Sequence, residues 1–434
     1  MSCIGLIALK RPFHKVMTGT LKPILGYLML AAGAGVIVNN LDPLGKMIEH
    51  GFHITGVVPN NEAIVAVAQK VLGVETMSIL VVGLLMNLCI ARFTKFKYVF
   101  LTGHHSLFMA CLMSAVLGTA GLSGMELILV GGFLMGAWSA ISPAIGQSYT
   151  SKVTDGDEIA IGHFGSLGYY LSAWVAQYVG KAEDSTEDIE IPEKWGFLRD
   201  STLSTALTMI VFYLIAAIAA GSEFVSTLSG DMSPYLYAVM SAMNFAVGVT
   251  IVYSGVRMIL GDLIPAFQGI ATKIIPNAIP AVDCAVFFTY APTAVVLGFI
   301  SSFIGGIIGM LILGAVGGVL IIPGLVPHFF CGATAGIYGN ATGGRRGAAV
   351  GAFLNGLAIT FLPALALPVL GQLGFQNTTF GDADFAVMGL VLGHAFEWIG
   401  MAGIYGIVAI AALVLIIPNF IKTKGKVINY VEEE

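Results

Sequence analysis

Apolar runs about as long as a bilayer crossing alternate with short polar breaks along this chain. Thr20 to Val38 is a Gly/Ala-rich run, broken at Asn39-Asn40-Leu41-Asp42-Pro43 and followed by Val57-Val58-Pro59-Asn60-Asn61-Glu62. Met77 to Ala91 is a second run, closed by Arg92, Lys95 and Lys97. Tyr98 to Ser151 holds only Glu126 as a charge, enough for two spans. A polar, glycine-rich hairpin follows, with Gly156-Asp157 and Ile161-Gly162-His163-Phe164-Gly165. Beyond Lys181–Asp200, the one strongly hydrophilic segment, come Leu203–Ala220 and Tyr235–Val256. Between Cys284 and Arg345 no Asp, Glu, Lys or Arg occurs, and that stretch ends in a loop at Gly343-Gly344-Arg345-Arg346. A second hairpin around Gly393-His394 precedes a last helix, Met401 to Ile421, stopped by Lys422, Lys424 and Lys426. Runs of this length predict spanning helices, because backbone groups in lipid must be satisfied within the segment.

Composition agrees. Of 434 residues 57% are hydrophobic and only 10% charged, with mean hydropathy +0.88. Soluble domains carry about 25% charged residues, so a soluble enzyme or a nucleic-acid binder is excluded. The fifty-five glycines predict close helix packing and non-helical backbone inside the protein. The cysteines (3, 89, 111, 284, 331) form no CxxC pair, so no metal site, cofactor or disulfide framework is predicted. Cys331-Gly332-Ala333-Thr334-Ala335-Gly336 superficially suggests a phosphate-cradling loop, but its uncharged membrane setting argues against it. Residues 1–9 are apolar and run into Lys10-Arg11, the reverse of a signal peptide's charge order; the reading is that the chain begins partway through a first helix. The positive-inside rule groups Lys10–Lys22, Arg92–Lys97, Arg345-Arg346 and Lys422–Lys426 in the cytoplasm, with the C-terminus. It also sets Asn39–Asn40 near the outer face and Arg257 near the inner one.

An offset of about 222 residues aligns Gly33 with Gly255, Leu41-x-Pro43 with Leu263-x-Pro265 and Asn61 with Asp283. A similar offset sets Leu101-Thr102-Gly103 over Ile322-Pro323-Gly324, and Ile161-Gly162-His163 resembles Leu392-Gly393-His394. With their breaks on opposite faces, the two copies are expected to be inverted repeats that hold substrate near the midplane between broken helices. The expected division is a first repeat over 1–180, a hydrophilic linker over 181–202, a second repeat over 203–400, and a last helix with cytoplasmic tail over 401–434. Asp283 opens the long uncharged run, with Pro276, Pro280 and Pro292 interrupting helix around it. It reads either as a functional carboxylate or as a helix cap. The repeat would bring it together with Asn61-Glu62, the Thr102–Ser106 turn and Gly162-His163-Phe164. Carboxylates, imidazoles and amides flanked by rings suit a polyhydroxylated solute.

At Thr102-Gly103-His104, at Val153-Thr154-Asp155-Gly156 with Ile161-Gly162-His163, and at Val282-Asp283-Cys284-Ala285 with Tyr290-Ala291-Pro292, the chain resembles a known family. Ile321-Ile322-Pro323-Gly324 with Pro327 and Phe329-Phe330 carries the same resemblance. The family is the ascorbate-type IIC permease of the bacterial phosphotransferase system, and the likeness covers nearly the whole chain. It implies an all-α polytopic membrane protein of about ten to eleven transmembrane helices, in two inverted repeats with re-entrant hairpins and broken helices. A homodimer in the bacterial inner membrane and elevator-like movement of a substrate-bearing core are implied too. The family's substrate contacts carry over onto Asn61, Glu62, His104, His105, Ser106, Leu107, Phe108, His163, Phe164 and Asp283. The sequence departs from the ascorbate readers, which have Thr-Tyr at Asn61-Glu62 and glutamines at Phe108 and Phe164. Rings neither donate nor accept as amides do, and each lost bond costs about 0.5–1.5 kcal/mol. The departures point to another sugar-like substrate.

The expected function is group translocation: this chain binds and passes the sugar, a separate IIB protein phosphorylates it from a phosphocysteine charged through IIA, and Asp283 accepts the hydroxyl proton. The alternative is a proton-coupled transporter or facilitator of a small polyol or sugar acid on the same fold. An intramembrane enzyme would need a nucleophile–base or metal motif, and no HExxH or GxSxG occurs.

Overall fold

A computed structural model describes residues 2–53, 56–59, 61–156, 159–189, 201–273, 275–371 and 378–420. The side chains of 62–72 and most of those between 253 and 273 lie outside the description. The chain is a helical membrane protein. Among the described residues 7 helices are long and apolar enough to cross a bilayer, or 8 if the pair bent by 117° at Gly221 is one span. Their outward faces carry Leu28, Val81, Ile215, Leu311 and Ile410, all exposed, the surface that acyl chains would cover. Helices α4 (Gly103–Thr119), α6 (Ser166–Val179) and α12 (Ala383–Ile399) have 17, 14 and 17 residues. They fall short of the ~20 residues a crossing needs.

Two helices of equal length organise the halves: α2 (Phe13–Phe52) and α9 (Pro234–Lys273), 40 residues each. They pack on one another where glycine removes the side chain. A Cβ on Gly33 would stand 2.8 Å from the Gly248 carbonyl oxygen, and one on Gly248 would stand 3.0 Å from that of Gly33. The break expected at Asn39–Pro43 is absent, and α2 runs through it. Pro43 removes the donor that the Asn39 carbonyl would otherwise take, and polar contacts lie beside the gap. The Asn40 amide donates to the Val36 carbonyl at 2.7 Å, and the Tyr213 hydroxyl donates to the Asn40 carbonyl.

After each long helix the chain turns into extended backbone. In the first half this gives β1 (Val58–Pro59), β2 (Tyr98–Phe100) and β3 (Ala160–Ile161); in the second it gives β4 (Ile279–Val282) and β5 (Thr378–Thr379). Every pairing is parallel and crosses between halves. β4 lies between β2 and β3, while β1 pairs with β5 and Val57 bridges Ile321. Each half's first strand is therefore held by later strands of the other, as a two-fold relation requires. The sequence alignment of the third motif needs correction. Because β5 adds to β1 as β3 adds to β4, Ile161-Gly162-His163 corresponds to Phe380-Gly381-Asp382. His394 sits exposed on α12, beside Glu397 at 2.8 Å.

The remaining long helices are α3 (Asn61–Phe93), α5 (Gly124–Val153), α7 (Ser201–Ala220), α10 (Pro292–Ala315), α11 (Leu325–Gly371) and α13 (Met401–Phe420). The loop expected at Gly343-Gly344-Arg345-Arg346 is there: Gly343 and Gly344 leave helical geometry, Gly344 with φ 60 and ψ −155. A Cβ on Gly339 would stand 2.4 Å from the Gly347 carbonyl oxygen, so α11 is two helices that fold back on one another at this turn. Cys331–Gly336 lies on α11, not on a phosphate-cradling loop. The first part of the hydrophilic linker docks on the helices. Thr186 is buried and donates its N–H to Asn340 at 2.8 Å, and the Glu187 carboxylate caps α10 by accepting from the N–H groups of Thr293 and Ala294. Residues 190–200 of that segment lie outside the described residues. One apolar core around Tyr169, Tyr213, Phe288 and Tyr338 joins α2, α7, α9, α10 and α11; another around Leu112, Phe164, Phe380 and Phe385 joins α4, α5 and α12.

Candidate functional site

The two interlocked sets of strands end at a cavity of about 560 Å³, bounded on one side by α2. β2 delivers the chain to the start of α4, whose first turn presents His104, His105 and Phe108. β4 ends at Asp283, which is both cap and lining residue. Its Oδ1 accepts the Ala285 N–H at 3.0 Å, closing the start of a 3₁₀ turn over Cys284–Thr289. Its Oδ2 lies 3.4 Å from His104 Nε2 at the cavity wall. The capping and functional readings of Asp283 thus describe one side chain.

β3 ends at His163, where Gly162 hugs the neighbouring strand: a Cβ there would stand 2.4 Å from the Ala281 carbonyl oxygen. His163 Nδ1 accepts from the Gly165 N–H at 3.2 Å and meets the Tyr169 hydroxyl at 2.8 Å. His105 Nδ1 accepts from the Phe164 N–H at 3.3 Å. A ring nitrogen that accepts from a backbone N–H carries no proton, so both imidazoles hold their proton on Nε2. The two rings are 3.7 Å apart between centroids, with Phe385 stacked on the far side of His105.

β5 supplies the counterpart that sequence reading missed. Asp382 Oδ2 accepts from the Asn61 amide, whose Oδ1 accepts the Gly381 N–H at 2.8 Å, and Asp382 Oδ1 accepts from the Cys331 thiol at 2.6 Å. Asn61 and Asp382 both line the cavity. Two residues on, Asp384 is fully buried and fastens the start of α12 to the start of α6. It accepts from the Leu167 N–H at 2.9 Å, the Ser166 hydroxyl at 2.8 Å and the Trp138 indole at 3.2 Å. Its own N–H donates to the Phe164 carbonyl at 2.9 Å.

Of the residues expected here, Asn61, His104, His105, Phe108, His163 and Asp283 line the cavity. Ser106 turns back onto the Thr102 carbonyl at 3.2 Å, and Leu107 is half-buried away from the lining. Phe164 is fully buried behind it, stacked on Phe100 at 4.6 Å. The side chain of Glu62 lies outside the described residues. His163 has donor atoms within 4.8 Å of Cys331 and Asp382, and also of Asp283 and Cys284, the groups here with metal-ligand chemistry. Of these groups, Asp382 and His163 Nδ1 are engaged in hydrogen bonds within the protein.

Comparison with known proteins now decides the family. Residues 1–384 match the model of the EIIC-GAT family, described as the PTS system sugar-specific permease component. The chain belongs to that family. The chain is also similar to the ascorbate-specific PTS system EIIC component of Mycoplasma pneumoniae, 25% identical over an alignment of 402 positions that takes in 79% of this chain. It spans 60% of that relative's length.

Motifs in the sequence pointed to Asn61, His104, His105, Phe108 and His163, which line the cavity, and a misplaced repeat hid Asp382. The available signal was Gly381-Asp382-Ala383-Asp384, two acids in an apolar stretch, with a glycine at the position equivalent to Gly162. The α2 charges that border the cavity, Asp42, Lys46 and Glu49, were hidden because a helix break was expected in front of them.

Proposed function

We propose that this chain is the sugar-passing IIC component of a phosphoenolpyruvate-dependent phosphotransferase system, with a polyhydroxylated substrate bound between its two repeats. The observation that carries the reading is the cavity itself. Asn61 and His104 from one half and Asp283 and Asp382 from the other converge on it, with Phe108 offering a ring to an apolar sugar face. Oxygens and nitrogens replace water on the hydroxyls, and the strands of the two halves fix their spacing.

In this reading a separate IIB protein carries the phosphoryl group on cysteine. The substrate hydroxyl attacks phosphorus, the P–O bond forms as the P–S bond breaks, the thiolate stays on IIB, and the hydroxyl proton passes to Asp283. This chain binds, orients and receives that proton, and IIA recharges IIB. The crossed strands support an elevator-type movement, in which the substrate-bearing elements shift as a body, and family precedent supports a homodimer. Phe108, at a position where the ascorbate readers have a glutamine, lines the cavity and disfavours ascorbate.

Purified protein reconstituted in proteoliposomes with IIB, IIA and phosphoenolpyruvate tests the reading. The expected result is internal sugar phosphate that forms only when all components are present. Uptake of unmodified sugar driven by a proton gradient alone would replace it with an ion-coupled transporter.

A further inference from the structure

The lining of the cavity is unbalanced in charge. Among the described residues it includes the carboxylates Asp42, Glu49, Asp283 and Asp382 against a single ammonium, Lys46. Asp42, Lys46 and Glu49 lie at i, i+4 and i+7 of α2, hence on one helix face. Of the three imidazoles on the lining, His104 stands 3.4 Å from Asp283 and partners that carboxylate. His105 and His163 each accept a backbone N–H at Nδ1, which leaves one N–H per ring and no formal charge. Asp382 is bound on both oxygens, one by the Cys331 thiol and the other by the Asn61 amide, which fixes its side chain at the lining.

We infer that this cavity is a charge filter: it accepts an uncharged polyol or sugar and rejects anionic ones, including the phosphorylated form of its own substrate. The inference rests on the cavity being the substrate site. Its basis is donor–acceptor matching. Every ligand hydroxyl brings a proton to offer, whereas a carboxylate offers only lone pairs, so a hydroxyl-dense neutral molecule satisfies Asp283 and Asp382. A ligand carboxylate or phosphate brings lone pairs to lone pairs and charge to like charge, in a partly enclosed space where salt screens weakly. Phosphorylation adds roughly −1.5 to −2 charge at neutral pH. The groups that hold the hydroxyls before transfer therefore repel the product after it. Chemistry on the ligand, with no change in the protein, makes release favourable and re-binding of product poor.

The test is equilibrium binding to the full chain in lipid nanodiscs with four probe types: an alditol, a neutral hexose, a sugar acid, and the phosphate monoester of whichever neutral probe binds. The expected result is binding of a neutral probe, with its phosphate and the sugar acid weaker by about 100-fold. The double variant Asp42→Asn/Glu49→Gln should narrow that gap by about tenfold; the single variants carry the same test if the double does not fold. Anionic probes binding within about threefold of neutral ones would overturn the filter while leaving the site in place. An unchanged gap in the variants would remove the α2 carboxylates from it. Failure of every probe to bind would overturn the site, and the filter with it.

Discussion

Asp283→Asn is expected to abolish phosphorylation-coupled uptake while changing sugar affinity by less than about tenfold. The two amino acids have the same shape, and asparagine's carbonyl oxygen can still accept the Ala285 N–H that starts the turn after β4. What is lost is the ability to take a proton from the attacking hydroxyl, and positioned general bases are typically worth 10²–10⁴-fold in rate. His104, whose Nε2 stands 3.4 Å from the missing charge, would keep its place at the mouth of α4. Radiolabelled sugar binding and the rate of sugar-phosphate formation, measured on the same preparation, separate the two effects. Wild-type phosphorylation by the variant would remove Asp283 from the chemistry and leave it a cap.

Asp382→Ala is expected to damage both fold and binding, for a different reason. The buried Cys331 thiol and the half-buried Asn61 amide each lose their acceptor, and a stranded buried donor costs about 1–3 kcal/mol. Asn61 also orders Gly381 through its carbonyl oxygen, so the β1–β5 pairing loosens where the two halves meet. The expected outcome is a lower melting temperature in detergent together with at least tenfold weaker sugar binding. Asp382→Asn, which keeps the shape and one acceptor, should recover most of the melting temperature. Equal melting of wild type and the alanine variant would show that these contacts do not hold the strands together.

How much of this was legible in the sequence depended on the physical range of each signal. Hydropathy and glycine content gave the class of the protein, because a bilayer imposes its thickness on every crossing. The pairing of Asn61 with Asp283 as equivalent positions was also legible, since both follow strands that share a β-ladder pattern across the halves. The strands themselves were not, being two to four residues long and stabilised only by partners hundreds of positions away. Pro43 misled for a related reason. Whether a helix continues through a proline depends on its neighbours in the fold, and the Tyr213 hydroxyl that reaches the Asn40 carbonyl, beside the gap, comes from another helix. Phe164 was placed near the substrate by the resemblance to the family's contacts, but beyond the strand end successive side chains turn apart: His163 faces the cavity and Phe164 the core. The segment 181–202 read as a hydrophilic linker, and only the fold shows that Glu187 within it closes the first turn of α10.

The central claim is that substrate binds where the two crossed sets of strands meet. It is tested most directly by a cryo-electron microscopy map of the protein saturated with a sugar that it binds. The account predicts ligand density within hydrogen-bonding distance of Asn61 and His104 on one side and Asp283 and Asp382 on the other. Density confined to another surface, with this cavity closed by side chains, would contradict it.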